Sequence, residues 1–170
     1  QDTPLADLQN VTPDQAMNHP VWNMGPRITI DSATMANKAL ELVEAHHLFG
    51  VTDQQLHAIV HPGSLVHGMV HLHDGTTLMQ MSAPDMAGPI RWALTAGEHD
   101  AAVAPTFDPA ELTNLRFSPV DSTRFPFVDL GFEVIRKGGG AGCVLNAADE
   151  VCVQAFLDGR LPYLEVYHHV

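Results

Sequence analysis

Asn37, Lys38 and Glu41 are the residues of this sequence whose types and spacing point most directly to chemistry. On a helix, residues three and four apart are neighbours, so Asn37 and Glu41 would lie one above the other with Lys38 beside them. Ser32 stands a few residues upstream. Together they offer a hydroxyl, an amide, an ammonium, a carboxylate and the free N–H groups of a helix start. That set suits a phosphorylated polyol bound with a divalent metal. Ser32, Asn37 and Lys38 would hold the phosphate near the helix start. Glu41 would take one position on Mg²⁺ or Mn²⁺, ions that need several oxygen ligands. On spacing alone a plainer outcome is the commoner one: a solvated helix face with a single Lys–Glu pair.

Two other constellations carry less. His57, His61, His67, His71 and His73 invite a zinc site, but neither an HExxH pair nor a Cys pair accompanies them. A mixed strand face of ordinary polar histidines is the preferred reading, with a zinc-binding protein as its rival. The run Gly138-Gly139-Gly140-Ala141-Gly142 lacks the GK[ST] ending of a phosphate loop and follows a predicted helix, so it reads as helix punctuation.

Composition narrows the partners. The 170 residues hold 8 Lys plus Arg against 20 Asp plus Glu, a formal net charge of −12. General binding to nucleic acid or to an anionic membrane needs the opposite balance. Any anionic ligand must be held locally, by a few cations, a helix terminus or a metal. Cys143 and Cys152 are too few for a disulfide framework, which points to a reducing compartment. Nine apart on one predicted helix, both read as core packing. No apolar run approaches the length of a membrane span. The chain starts on Gln1 rather than Met, and reads as part of something longer.

The elements that must position these residues follow from periodicity. Residues 1–27 read as loop, with one short helix at residues 12–15 capped by Thr12 with Pro13 at its first position. Residues 27–30 read as a short β run. An apolar stripe from Met35 to Leu48 predicts a helix over about 34–49, capped by Ser32 or Thr34 and closed by Gly50. A strand is expected near 57–61. Two alternating runs around Asp74-Gly75 predict a hairpin over 66–82 with a two-residue turn. That register puts Val70 and Leu72 on one face with Thr77, Met79 and Met81, and His67, Met69, His71 and His73 on the other with Leu78 and Gln80. Helices follow at 84–96, 126–137 and 142–157, one strand near 115–118, and a further element from 161. The sum is α+β: a small mixed or antiparallel sheet with helices packed on one face.

The motifs then resemble one family. His19-Pro20-Val21-Trp22-Asn23-Met24-Gly25 and Asp31-Ser32-Ala33-Thr34-Met35-Ala36-Asn37-Lys38-Ala39-Leu40-Glu41 are similar to the 1-deoxy-D-xylulose 5-phosphate reductoisomerases. Val60-His61-Pro62-Gly63-Ser64, Ala83-Pro84-Asp85-Met86 and Leu145-Asn146-Ala147-Ala148-Asp149-Glu150 fit in the same order. The resemblance implies a metal-assisted isomerisation of a sugar phosphate, then reduction by NADPH to 2-C-methyl-D-erythritol 4-phosphate. It implies Glu41 as a metal carboxylate, with Lys38 also at the reacting centre. His19, Ser32, Asn37, Lys38, Trp22 and Met24 become substrate contacts, and Gly25 and Met86 lie toward NADPH. Residues 1–27 become a lid and 28–170 the catalytic core, with an NADPH domain before it and a helical domain after it. A homodimer in the bacterial cytoplasm, or in a plastid stroma, is further implied. The alternative is a non-catalytic sugar-phosphate-binding or dimerisation domain of the same fold.

Overall fold

Pro26 opens a helix where the sequence predicts a strand. The computed structural model describes residues 3–17, 24–98, 112 and 115–170, which fall into two units. One comprises the chain up to Ala58 with Val120–Val170, the other Ile59–Pro119.

The first unit is helical. Helix α1 spans Leu5–Leu8 and α2 spans Pro13–Ala16. Thr12 and Gln15 close the expected cap on α2, each side chain bonded to the other's backbone N–H at 3.3 and 3.0 Å. Helix α3, Pro26–Thr34, replaces the expected β run. Pro26 sits at its first position after Gly25, where a missing N–H costs nothing. The β-branched residues that suggested a strand are absorbed. Thr29 donates its hydroxyl to the Gly25 carbonyl at 2.9 Å, and Ile30 is completely buried. Tertiary burial outweighs the small intrinsic preference of such residues for strands.

Met35 then adopts the left-handed conformation (φ 62°) and turns the chain into α4, Ala36–Phe49, which Gly50 ends as predicted. Helix α4 therefore begins two residues later than expected. Ala36, Ala39, Leu42 and Val43 form its buried stripe. Helices α6, Pro126–Lys137, and α7, Ala141–Leu157, match their predicted spans to within a residue. Helix α8 is Glu165–His169. Helix α4 packs against α3, α6 and α7. At its closest point with α6, a Cβ added to Gly131 would stand 2.9 Å from the Ala39 Cα and 3.1 Å from the Ala39 carbonyl oxygen. Phe127, Val153, Phe156 and Val166 complete the core. Cys152 belongs to it, but Cys143 is exposed, against expectation. Nine residues are two and a half turns, so the two thiols leave the helix on opposite sides.

The second unit holds the strands. Strand β1, Ile59–Val60, pairs antiparallel with β4, Ser118–Pro119. Strands β2, Val66–His71, and β3, Thr77–Met81, form the expected hairpin, and α5 spans Ala87–Leu94. The register differs from the prediction by one residue. Leu72 and Thr76 close the loop, through a 2.8 Å bond from the Leu72 N–H, and Gly75 takes φ 87° inside it. The loop therefore has three residues with glycine at its left-handed position, not two. A shift of one exchanges every face. Val70 now stands opposite Leu78, and Met69 and His71 opposite Met79 and Thr77. The expected covered face is also not seen among the described residues, since Val70, Leu78 and Met79 are each about half exposed. The α+β class and the small antiparallel pairing hold. No helix among the described residues is long and apolar enough to cross a membrane.

Candidate functional site

The corner between α3 and α4 sets the site. Thr34 is buried there and bonded three ways. Its hydroxyl faces the Ile30 and Asp31 carbonyls at 3.0 and 3.3 Å and accepts from the Ala36 N–H at 3.3 Å. Met35, not Ser32 or Thr34, is the cap residue of α4 and no side-chain cap bond is made there; Thr34 instead accepts from the N–H of the first helical residue, and Ser32 lies in the last turn of α3, half-buried. Thr34→Val keeps the shape and removes these bonds. It is expected to cost about 1–2 kcal/mol, read as a lowered urea midpoint that Thr34→Ser largely restores.

With the apolar stripe of α4 turned inward, its polar face carries Asn37, Lys38 and Glu41 outward. The Asn37 Nδ2 donates to one Glu41 carboxylate oxygen at 2.5 Å, and the Lys38 ammonium pairs with the other. Lys38 and Glu41 are each a little under half exposed. The predicted cluster therefore forms, with its carboxylate held between an amide and an ammonium and open to solvent.

The remaining predicted residues are placed as follows. Gly25 caps α3, exposed, and lines with Asn37 an open recess of about 360 Å³. Met24 is half-buried. His19 and Trp22 lie outside the described residues, as does most of the predicted lid turn around them. Met86 caps α5 in the second unit and is exposed. His61, His67 and His71 take separate partners, the Arg116 and Ser82 carbonyls and the Thr77 hydroxyl. Among the described residues no three His, Cys, Asp or Glu side chains are grouped to hold a metal ion.

Sequence reasoning missed a second polar group that lines the same recess. Arg27 reaches from α3 to α7. Its guanidinium donates to the Asn146 side-chain oxygen at 2.8 Å, the Asn146 carbonyl at 3.1 Å and Glu150 at 3.1 Å, and lies 3.4 Å from Asp149 and 3.6 Å from Asp31. Both aspartates are almost fully buried, and one oxygen of each has no hydrogen-bond partner. Burial first, then the neighbouring Asp149 charge, push the Asp31 carboxyl up to about 7 against the opposing pull of Arg27. Asp149 is raised too, chiefly by burial. The signal was legible in principle. Arg27 and Asp31 are four apart, and Gly25-Pro26 marks a helix start, but reading residues 27–30 as a strand hid both.

Comparison with known proteins agrees along the chain. Residues 81–170 match the family model described as the DXP reductoisomerase C-terminal domain. Residues 1–49 match that of the 1-deoxy-D-xylulose 5-phosphate reductoisomerase C-terminal domain. The 1-deoxy-D-xylulose 5-phosphate reductoisomerase of Thermodesulfovibrio yellowstonii is 47% identical over 161 residues, 95% of this chain and 42% of that protein. That of Solibacter usitatus is 45% identical over all 170 residues and 43% of its own length. A crystal structure of DOX-P reductoisomerase in complex with NADPH, fosmidomycin and magnesium superposes with a TM-score of 0.91 at 39% identity, over 97% of this chain and 40% of that one. The Zymomonas mobilis enzyme in complex with NADPH gives 0.89 at 40% identity, over 98% and 43%. The chain spans about two fifths of the length of the relatives it matches.

Proposed function

The chain belongs to the 1-deoxy-D-xylulose 5-phosphate reductoisomerase family, and on that premise we propose that its full-length protein isomerises and reduces 1-deoxy-D-xylulose 5-phosphate to 2-C-methyl-D-erythritol 4-phosphate. This chain supplies the substrate and metal part of the site. The observation that carries the proposal is the convergence of Asn37 and Lys38 on the Glu41 carboxylate, on one turn of α4.

Glu41 is an accessible hard oxygen donor and suits Mg²⁺ or Mn²⁺. In this reading it serves as one ligand of a larger set. A bound ion would polarise the sugar carbonyl and stabilise negative charge on its oxygen. The side chains of α4 do the rest of this chain's part. Lys38, freed toward a ligand, places a cation beside the phosphate or developing alkoxide. Asn37 offers an amide donor and acceptor within one turn of it. Ser32, and in this reading His19, add polar contacts that orient the phosphate away from the reacting carbons, so that binding energy fixes the geometry. Residues 1–27, with Trp22 and Met24, would cover the substrate and exclude water.

NADPH is the reductant of this reading, toward which Gly25 and Met86 are proposed to lie. Around Gly25 an added Cβ would meet open space, so its backbone is accessible to a ligand. A homodimer in the cytoplasm, or in the plastid stroma of a photosynthetic source, completes the proposal. The full-length protein, assayed with the sugar phosphate and Mn²⁺, is expected to oxidise NADPH and release the methylerythritol phosphate. Absence of that product from a folded preparation would refute it.

A further inference from the structure

We propose that Arg27 is a positioning residue: by tying α3 to α7 through Asn146, Asp149 and Glu150, it fixes where Ser32 and the α3–α4 corner stand relative to Asn37, Lys38 and Glu41. The inference rests on the functional reading above for its kinetic part only.

Three observations support it. Arg27 spends its guanidinium on three residues more than a hundred positions away in sequence, Asn146, Asp149 and Glu150 of α7, through four hydrogen bonds. Arg27 and Asp31 line the same recess as Asn37 and Asn146, so the tie and one member of the α4 cluster border the same space. Asp31 lies in the turn above Arg27 and immediately precedes Ser32, while Thr34, two residues further on, accepts from the first N–H of α4. A rotation of α3 would therefore shift Ser32 and the corner against Asn37, Lys38 and Glu41, whose helix is held by its packing on α6 and α7.

The tie carries an electrostatic imbalance. One guanidinium serves two nearly buried carboxylates, Asp31 from α3 and Asp149 from α7, with the exposed Glu150 beside them. Helix α4 brings only Asn37 and Leu40 to this recess and no charge. Asp31 in the folded protein holds its proton up to about pH 7, whereas the unfolded chain releases it near 3.8. The folded state thus binds more protons across that window. Its stability falls as pH rises through the window and levels off above it. Doubly ionised, the pair repels, and the tie is weakest at the alkaline end.

Asp149→Asn removes the like charge while keeping the shape. Its melting temperature is expected to match the wild type near pH 5.5 and to exceed it by about 4 °C at pH 8. Arg27→Met in the full-length protein is expected to raise KM for the sugar phosphate on the order of tenfold, with KM for NADPH moving less than about twofold. Arg27→Lys restores only part of this, because an ammonium cannot fork to several partners. The ratio of sugar-phosphate KM between wild type and Asp149→Asn is expected to grow from pH 6 to 8, a comparison that cancels ionisation of the phosphate itself. Unchanged sugar-phosphate KM in Arg27→Met, or both KM values rising alike, would overturn the positioning role. Should Arg27→Met fail to fold, Arg27→Lys and Asp149→Asn decide. Should the wild type show no turnover at all, the functional reading falls. The tie is then judged by the melting curves alone, where parallel pH dependences in wild type and Asp149→Asn would reject it.

Discussion

Glu41→Gln in the full-length protein is expected to lower kcat/KM for the sugar phosphate by about a thousandfold, some 4 kcal/mol of transition-state stabilisation. Glutamine preserves the size of the side chain and still accepts a hydrogen bond from Asn37. It carries no charge, so it can neither balance Lys38 nor contribute a carboxylate oxygen to a divalent ion. The side chain is nearly half exposed and makes its bonds only within its own turn, so the fold should be untouched. Steady-state kinetics across a magnesium titration, beside a melting curve, read the two consequences separately. Activity within tenfold of the wild type at saturating metal, with an unchanged melting temperature, would remove Glu41 from the metal site.

Phe127→Ala gives the largest expected loss of stability, about 3–5 kcal/mol. Phe127 is 1% exposed, stands in the first turn of α6, and meets the edge of Tyr167 with ring centroids 5.4 Å apart. Truncation removes transfer free energy and leaves a cavity that helices anchored at several points cannot close. Against a total stability of roughly 10 kcal/mol, the middle of the usual range, a loss of this size takes about 30–50% of the margin. A urea midpoint shifted by less than a quarter of the wild-type value would mean that α8 collapses into the gap.

How much of this was legible in the sequence depended on whether a local signal or a distant partner decided the outcome. Helix α6 was read with its observed bounds because Pro126, an apolar stripe and Gly138 mark its ends and its face without reference to anything else. The cluster on α4 was equally legible, since helical geometry alone brings Asn37 and Lys38 to Glu41. Arg27–Ile30 failed because the burial of Ile30, which makes a helix acceptable there, is provided by residues far along the chain. The hairpin failed more subtly: Asp74-Gly75 fits a two-residue and a three-residue loop alike, and only the position of the left-handed glycine separates them. Asn146, Asp149 and Glu150 were noticed as a motif. Their role required knowing that Arg27 lies across from them, which no spacing in the sequence reveals.

The close seat of α6 on α4 has a consequence for how this molecule can vary. The atoms that would obstruct a side chain at position 131 all belong to Ala39: its Cα at 2.9 Å, and its methyl group and carbonyl oxygen both at 3.1 Å. Trimming position 39 to glycine would therefore not open a place at 131. Variation between the two sites runs one way: residue 39 is free to shrink, residue 131 has no room to grow, and no single compensating change nearby releases it. Ala39 faces inward only two positions before Glu41 faces out. The hydrogen atom at Gly131 thus sets how closely α6 approaches the helix that presents the acidic residue, and any larger side chain there would push the two helices apart.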